Sequence, residues 1–285
     1  MMRFITIEIY YGDSWRPYPG VPFNARILPR GQVNGKVTDE HGSSSACASL
    51  GCRPGFTRSG VVNSRGIGQS DFMWSVRANR HVKRVYSQVW NTNALLVSFD
   101  GCGLYRDWRH NPEWKTRSAW YHVDQNPYMK PNRCCVQGFV SLTDQNESTG
   151  GLIVFPGTHH RFSEMLDLAH RPKDFIQIPV HHPILDRGQA IGRLVQCRAG
   201  DLVLWDSRLV HCNSPAFVTQ ELASGAPVDL LRIAAYVSMS PASFVQGQTL
   251  EQFQKKRKDL FRENCTLTHW STELVEAGKS MVGYH

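Results

Sequence analysis

The sequence has no hydrophobic run long enough to cross a membrane. Its longest apolar stretches, such as residues 94–97 and 152–155, fall far short of the ~20 apolar residues that a membrane-spanning helix requires. Residues 4–10 are too few, and are interrupted by Glu8, to form the core of a signal peptide. With 41% hydrophobic and 20% charged residues, the composition also excludes a disordered chain. We therefore expect an intracellular, cytoplasmic globular protein with no membrane span.

The sequence also lacks a cysteine framework. Cys134 and Cys135 are adjacent, and the other six of the 8 cysteines are scattered. Without a signal peptide, this predicts reduced thiols rather than a disulfide scaffold. His41, Cys47 and Cys52 could begin a zinc site, but the spacing is loose and no second ligand pair completes it. A Gly/Ser-rich loop is the preferred interpretation.

Concentrated charge is scarce as well. The net charge is +8, from 32 Lys and Arg against 24 Asp and Glu, but the basic residues are dispersed apart from 77–84 and 255–258. Both stretches have helical patterns, in which a solvated basic face is the simpler interpretation, and Arg77 is assigned to such a face. A nucleic-acid partner is therefore disfavoured. The sequence gives no indication of the oligomeric state.

Three regions follow one another within a single predicted domain. Residues 1–90 combine one strand, Pro- and Gly-rich loops and two short helices within 70–90 that break near Asn79. This region is expected to pack on the core, and a lid over the barrel mouth is the hypothesis for its role. Residues 91–245 read as short strands separated by turns, which is typical of an antiparallel sandwich or barrel with flanking helices. Residues 246–285 hold a helix at 247–264 and a tail.

Two histidines and one aspartate form the candidate metal site. His122 and Asp124 occupy positions i and i+2 of an extended segment, so their side chains point to the same side. His211 follows a strong strand at 201–205 and is the best third ligand, although the pairs at 159–160 and 181–182 would serve equally well as isolated ligands. Two His and one carboxylate with an open coordination sphere are the facial triad of non-haem Fe(II) oxygenases.

The order of motifs around these residues resembles a known family. An HxD at 121–125 is followed by a Gly-Gly hairpin at 149–159, the segment 199–208 with His211, and a last strand at 232–241 that opens with Arg232. This set resembles the phytanoyl-CoA dioxygenase-like branch of the Fe(II)/2-oxoglutarate oxygenases over residues 66–264. The family fold is a double-stranded β-helix, also called a jelly roll or cupin-like fold, and the chain is expected to be mainly β with flanking helices around that core.

The resemblance implies a role for each site residue. His122, Asp124 and His211 would bind Fe(II), and Arg232 would bind the distal carboxylate of 2-oxoglutarate through its planar guanidinium. Arg232 lies farther after His211 than in many members, with 216–229 read as an inserted loop. Gln137 and Ser98 are further candidates for contacts to the co-substrate. Outside this set, Arg208 is expected to pair with Asp206 or Asp201, and Trp120 and Tyr121 either line the substrate pocket or belong to the core.

The reaction implied by the resemblance is hydroxylation of a small-molecule or acyl substrate with O2. Oxidative decarboxylation of 2-oxoglutarate would release succinate and CO2 and form a ferryl species that attacks the substrate. Asp124 is retained, which favours hydroxylation over halogenation and leaves desaturation and ring formation open. Two alternatives use the same residues: a zinc-dependent cupin-like enzyme, and a non-catalytic protein that binds 2-oxoglutarate or an acidic ligand. Acyl-CoA, a free metabolite and a natural-product intermediate are all open as substrates.

Overall fold

A computed structural model describes residues 4–7, 60–186, 192–218 and 221–274. Most of the predicted lid over 11–68 lies outside these ranges, so the lid stays a prediction. His41, Cys47 and Cys52 all lie outside them. The strands are β1 (Phe4–Ile7), β2 (Val61–Val62), β3 (Leu95–Val97), β4 (Cys102–Arg106), β5 (His122–Val123), β6 (Val136–Ser141), β7 (Gly151–Val154), β8 (Ile176–Gln177), β9 (Arg193–Leu194), β10 (Leu202–Asp206), β11 (His211–Ser214), β12 (Leu230–Tyr236) and β13 (Met239–Pro241). The α-helices are α1 (Asp71–Arg77), α2 (Arg80–Trp90), α3 (Pro183–Asp186) and α4 (Leu250–Arg262).

Two sheets form the body of the protein. The larger has the order β1-β10-β6-β12-β4-β2 and the smaller the order β8-β5-β11-β7-β9, while β13 pairs with β3 in a short ladder. Except for β1, which pairs parallel with β10, neighbouring strands in both sheets are antiparallel. Between β4 and β12 the chain passes repeatedly from one sheet to the other. This strand order is the double-stranded β-helix, so the predicted fold is confirmed.

The interior between the sheets is filled by side chains from both. Phe139 of β6 packs there with Leu152 and Val154 of β7 and with Val203 of β10. Because successive side chains of a strand point to opposite faces, the neighbours Val136 and Val140 of β6 pack instead under the helices. This double burial explains why β6 has no exposed residue along its whole length.

Helices α1 and α2 cover the outer face of the larger sheet. Their break near Asn79, which the sequence predicts, has a local cause: the Asn79 side chain accepts a hydrogen bond from the backbone N–H of His81 and caps α2. Tyr86 of α2 lies fully buried and donates to the carbonyl of Val237 at 2.6 Å. Its hydroxyl approaches the sheet at Gly138, where any Cβ would lie 2.6 Å from that oxygen. The glycine therefore allows the helix to pack closely.

The predicted helix at 247–264 is confirmed as α4. It begins with a capping box, in which the Thr249 side chain accepts from the Gln252 backbone N–H and the Gln252 side chain accepts from that of Thr249. Beyond α4 the chain returns to the barrel through residues 265–274. No helix among the described residues has the length and hydrophobicity that would let it span a membrane.

Candidate active site

The sheet register brings the two predicted histidines together. His122 of β5 lies directly opposite His211 of β11 in the antiparallel ladder. Val123 packs into the apolar cluster on the far side of the smaller sheet. Since side chains alternate along a strand, His122 and Asp124 on either side of it face the barrel interior. Cross-strand pairing and the i, i+2 spacing therefore converge on one point.

The three side chains form a compact donor group. The Asp124 Oδ2 atom lies 3.2 Å from His211 Nε2 and 3.7 Å from His122 Nε2. One ligand atom from each of the three residues lies within 4.8 Å of the others. In the described part of the chain, these three side chains are the group of His, Cys, Asp or Glu that could hold a metal ion. The two imidazole centroids are 4.4 Å apart.

Backbone carbonyls fix the orientation of both imidazoles. His122 Nδ1 lies 3.1 Å from the carbonyl oxygen of Trp120, and His211 Nδ1 lies 2.9 Å from that of Leu209. An Nδ1–H that donates to a carbonyl leaves the Nε2 lone pair free for a metal ion. Both Nε2 atoms face Asp124, so the tautomer that these contacts favour is the one that binds metal.

Burial and mutual contacts set the charge of the group. Burial, reinforced by the neighbouring His211, lowers the pKa of His122 to about 4, so this imidazole is neutral at pH 7. Burial acts to raise the pKa of Asp124, but the imidazoles of His122 and His211 outweigh it and hold that pKa well below its usual value. A neutral imidazole beside an ionised carboxylate, with the remaining directions open, is a donor set that fits a divalent metal such as Fe(II).

Gln137 contacts the carboxylate of this group. Its Nε2 donates to Asp124 Oδ2 at 2.8 Å, and Trp205 on β10 lies directly across the ladder from it. The predicted contact of Gln137 with the co-substrate stays a prediction; in the structure its amide N–H is donated to Asp124. Gln137 also lines the cavity, and its Oε1 is buried without a hydrogen-bond partner among the described residues. Its evident role is to orient the carboxylate.

Arg232 lies in the same cavity, with 1% of its surface exposed. Its guanidinium stacks on the Tyr105 ring at 3.7 Å, and one terminal nitrogen donates to Gln145 Oε1 at 3.4 Å. Among the described residues no carboxylate lies within ion-pair distance of it, and its Nε has no hydrogen-bond partner. A buried cation without a protein counter-charge is costly and favours an anionic ligand.

Ser98 and Arg77 lie behind the cavity wall. Ser98 is fully buried and donates to Asp100 Oδ1 at 2.7 Å, so the structure does not bring its hydroxyl to the cavity as predicted. The prediction of a solvated Arg77 is wrong: it is 3% exposed, lies 3.5 Å from Asp100 Oδ1 and donates to the carbonyl of Gly68. A buried partner, which helical periodicity does not reveal, makes its burial tolerable.

Aromatic rings enclose the metal-ligand group. Trp120 stacks on the His122 imidazole with centroids 4.6 Å apart, and its indole N–H donates to the Asn213 carbonyl at 2.9 Å. Phe175 covers the other side of His122 at 4.7 Å. Trp120 thus lines the cavity, as one of the two open interpretations held, whereas Tyr121 packs against the apolar cluster beneath the smaller sheet.

Arg208 makes the structural contact predicted for it. Its guanidinium binds both carboxylate oxygens of Asp206 at 2.9 and 2.8 Å in the turn between β10 and β11. This bidentate pair helps to define the turn that leads into His211, and it leaves Arg208 outside the set of cavity residues.

Several polar residues of the cavity were not predicted, among them Asp100, Gln145 and His269. Asp100 follows β3 in a loop, Gln145 lies in the hairpin between β6 and β7, and His269 belongs to the segment after α4. None of them occupies a spacing that distinguishes it from other polar loop residues. Only the long-range contacts of the fold bring them to the site.

Comparison with known proteins gives one family and several relatives. The family model described as phytanoyl-CoA dioxygenase matches residues 56–219. The Ava biosynthesis cluster protein O of Aspergillus versicolor is 30% identical over 223 residues, which cover 74% of this chain and 67% of that protein. Among solved structures, AviO1 from Streptomyces viridochromogenes Tue57 is 13% identical with a TM-score of 0.42, covering 69% of this chain and 78% of that one. EctD from S. alaskensis with bound Fe is 14% identical with a TM-score of 0.43, covering 71% and 67%.

Proposed function

The chain belongs to the phytanoyl-CoA dioxygenase family, and from this premise we propose that it is an Fe(II)- and 2-oxoglutarate-dependent dioxygenase that hydroxylates a small molecule. The family is one of non-haem iron oxygenases that use 2-oxoglutarate. In this proposal His122, Asp124 and His211 hold the iron, and Arg232 binds the distal carboxylate of 2-oxoglutarate. The name of the Aspergillus relative, a biosynthesis cluster protein, supports a small-molecule substrate.

The observation that carries the proposal is the buried Arg232 in the same cavity as the donor group. A zinc-dependent hydrolase on this fold would use the three ligands and a water, and it would leave the guanidinium without a function. A dicarboxylate co-substrate gives each part a partner. His122, Asp124 and His211 would hold the metal to which one end of the co-substrate binds, and the Arg232 guanidinium would bind its distal carboxylate.

The described residues have separable tasks in this mechanism. Bound iron would supply the activation of O2, which amino-acid side chains do not provide. Gln137 holds the Asp124 carboxylate in position, while the carbonyls of Trp120 and Leu209 hold both imidazoles in the metal-binding tautomer. Trp120 and Phe175 shield His122 from water, which strengthens the electrostatic contacts within the cavity.

An anaerobic titration of the metal-free protein with Fe(II) and then 2-oxoglutarate tests this proposal. The readout is the visible charge-transfer band of 2-oxoglutarate chelated to the iron. We expect the band in wild type, its loss in His211→Ala, and a weakening of 2-oxoglutarate binding by about 100-fold or more in Arg232→Ala, because one partner of a buried charge pair is removed. Arg193→Ala, at an exposed position of β9, is the matched control and should titrate like wild type.

Two outcomes would replace the proposal. Absence of the band in folded wild type would leave the three ligands to zinc. A band without succinate release under O2, across a panel of small-molecule substrates, would favour a protein that binds 2-oxoglutarate without turnover. Succinate release that depends on one compound, with hydroxylated product detected by mass spectrometry, would support hydroxylation over ring formation or desaturation.

A further inference from the structure

One wall of the cavity is formed by the segment after α4 rather than by the barrel strands. The Leu267 backbone N–H donates to the Phe99 carbonyl at 3.0 Å, and the Thr266 hydroxyl oxygen accepts from the Gly68 N–H at 3.0 Å. These contacts lay residues 266–269 alongside residues 99 and 100. Asp100, Leu267, Thr268 and His269 consequently line the same cavity as the metal-ligand group.

Asp100 presents a carboxyl group whose charge is balanced from behind. Its Oδ1 accepts from the Ser98 hydroxyl at 2.7 Å and lies 3.5 Å from the guanidinium of Arg77, which is completely buried. The Asp100 side chain is 12% exposed and faces the cavity. Burial raises the pKa of Asp100, while the Arg77 guanidinium and the Ser98 hydroxyl act in the opposite direction and favour the ionised form, which accepts hydrogen bonds but donates none. The arrangement suits a ligand that supplies a hydrogen-bond donor.

His269 brings a second polar group to this wall. Its Nε2 is buried without a hydrogen-bond partner among the described residues, and its carbonyl accepts from the Cys135 thiol at 3.9 Å. A buried ring nitrogen left without a hydrogen-bond partner is unfavourable, and a ligand that supplies the partner removes that penalty. The compact donor group of His122, Asp124 and His211 does not include His269, and its Nε2 atom is the part of the ring that a ligand in the cavity could satisfy.

Arg232, the proposed 2-oxoglutarate ligand, makes its contacts with residues other than those of this wall. Its guanidinium packs on Tyr105 and donates to Gln145. The other cavity residues near the metal-ligand group are largely apolar or aromatic, among them Trp120, Phe175 and Leu267. Arg232 is the one Lys or Arg among the described residues of the cavity, so those residues hold no cationic cluster for a polyphosphate.

We propose that Asp100 and His269 together bind a hydroxyl or amine of an otherwise apolar substrate and thereby fix which carbon faces the metal. Asp100 accepts the donor hydrogen, and the His269 ring nitrogen makes the second hydrogen bond to the same group. The pair excludes substrates that carry a carboxylate or phosphate at this position, because such a group would meet a carboxylate oxygen. The inference rests on the proposed function for the role of the adjacent metal, but not for the binding itself.

A matched set of probes tests the pair without knowledge of the substrate. Cyclohexylmethanol, cyclohexylmethylamine and cyclohexanecarboxylate share one carbon skeleton and differ in the polar group. Their dissociation constants would be measured by ligand-observed NMR, on metal-free protein and on protein loaded with Mn(II) and N-oxalylglycine, which cannot turn over. We expect the alcohol and the amine to bind about tenfold or more tightly than the carboxylate, the scale of one satisfied buried hydrogen bond.

Variants assign that preference to the two residues. Asp100→Asn should reduce the preference for the amine over the carboxylate about tenfold, and His269→Gln should weaken binding of the alcohol probe several-fold. Neither variant should change the affinity for the metal. Asp229→Asn and His170→Gln make the same chemical changes at exposed positions and should bind the probes like wild type. Because Asp100→Asn leaves Arg77 without its partner and could prevent folding, the wild-type ranking and His269→Gln each test the proposal independently.

The results that overturn the inference are distinct from those that overturn the proposed function. A carboxylate probe that binds as tightly as the alcohol, a ranking unaffected by both variants, or no probe binding at millimolar concentration would refute the Asp100 and His269 pair. Loss of the iron and 2-oxoglutarate charge-transfer band, with the probe ranking intact in metal-free protein, would refute only the oxygenase proposal.

Discussion

The cavity has two walls of different construction. The strand wall carries His122 on β5, Asp124 directly after β5, and His211 on β11. The register of the sheet sets their positions. The tail wall carries His269 on the segment after α4, and few backbone hydrogen bonds tie that segment to the rest of the fold. Rigid pairing suits the placement of metal ligands within tenths of an ångström, whereas a segment tied at a few points can diverge without loss of the barrel.

The proposed function and the inference about Asp100 and His269 assign metal binding and substrate choice to separate parts of this chain. If the division is correct, a change in the strand wall alters metal affinity, and a change in the tail wall leaves metal affinity intact.

The largest effect is expected from His211→Ala, which removes one of three metal ligands. Affinity for Co(II) or Fe(II), measured by anaerobic calorimetry, should fall by more than about 100-fold, more than the loss typical of an outer contact. His269→Gln on the tail wall should change it less than about threefold. An equal loss of metal affinity in both variants would contradict the assignment of metal binding to the strand wall alone.

Two glutamines in the cavity contact different parts of the candidate site. Gln137 contacts Asp124 and Gln145 contacts Arg232, so the two side chains serve as controls for each other. Gln137→Leu should lower metal affinity about tenfold, as is typical when an outer hydrogen bond to a metal ligand is lost. Gln145→Leu should weaken the binding of 2-oxoglutarate several-fold and leave the metal affinity unchanged. Interchanged or identical effects would contradict these assignments.

Lys130 links the tail wall to the body of the protein. Its ammonium lies 2.8 Å from Asp174, 2.7 Å from Glu273 and 3.7 Å from the centroid of the Trp270 ring. Lys130→Met should lower the free energy of unfolding by about 1 kcal/mol, because the partners are partly exposed. Hydrogen exchange of residues 265–274 should quicken while that of β6 and β11 stays unchanged. Lys255→Met, on the exposed side of α4, should show neither change.

The smallest effect concerns a thiol between the two walls. Burial, together with the adjacent Cys134, raises the pKa of Cys135 well above its usual value, so little thiolate is present at pH 8. Alkylation of Cys135 by iodoacetamide, followed by peptide mass spectrometry, should be slow and should keep rising with pH beyond 9, where an ordinary thiol levels off. In Lys130→Met the rate should increase several-fold. A plateau near pH 9 in wild type would show that Cys135 is exposed to solvent.

The sequence was sufficient for the strand wall because its signals are local. An HxD that leaves a strand and a His that follows another require only the period of a β-strand and an ordered set of motifs. An antiparallel sandwich or barrel and the helices α1, α2 and α4 were likewise predictable from alternation, turns and apolar spacing, whereas the double-stranded β-helix came from the family resemblance. The iron and 2-oxoglutarate roles came from the family resemblance rather than from those patterns.

The tail wall could not be predicted because its contacts are non-local. His269 stands in a short polar stretch with no periodicity, and Asp100 resembles any acidic residue in a loop. The error over Arg77 has the same origin: the pattern places it on a helix, but only the fold places Asp100 beside it. Ser98 was assigned to the cavity because its strand is near the barrel, whereas its hydroxyl is directed at that same carboxyl group.

The contact between Gly68 and Thr266 joins positions 198 residues apart in sequence. Closure of a loop costs conformational entropy that grows with its length, and non-local contacts slow folding. The metal ligands span a much shorter stretch, from β5 to β11. A refolding chain would therefore acquire its metal site before its cavity is closed. In stopped-flow refolding with Co(II), the metal spectrum should develop before protection of residues 265–274 against hydrogen exchange. During that interval the metal site would be open to solvent, and a metal ion would bind it in a more hydrated environment than the closed cavity provides.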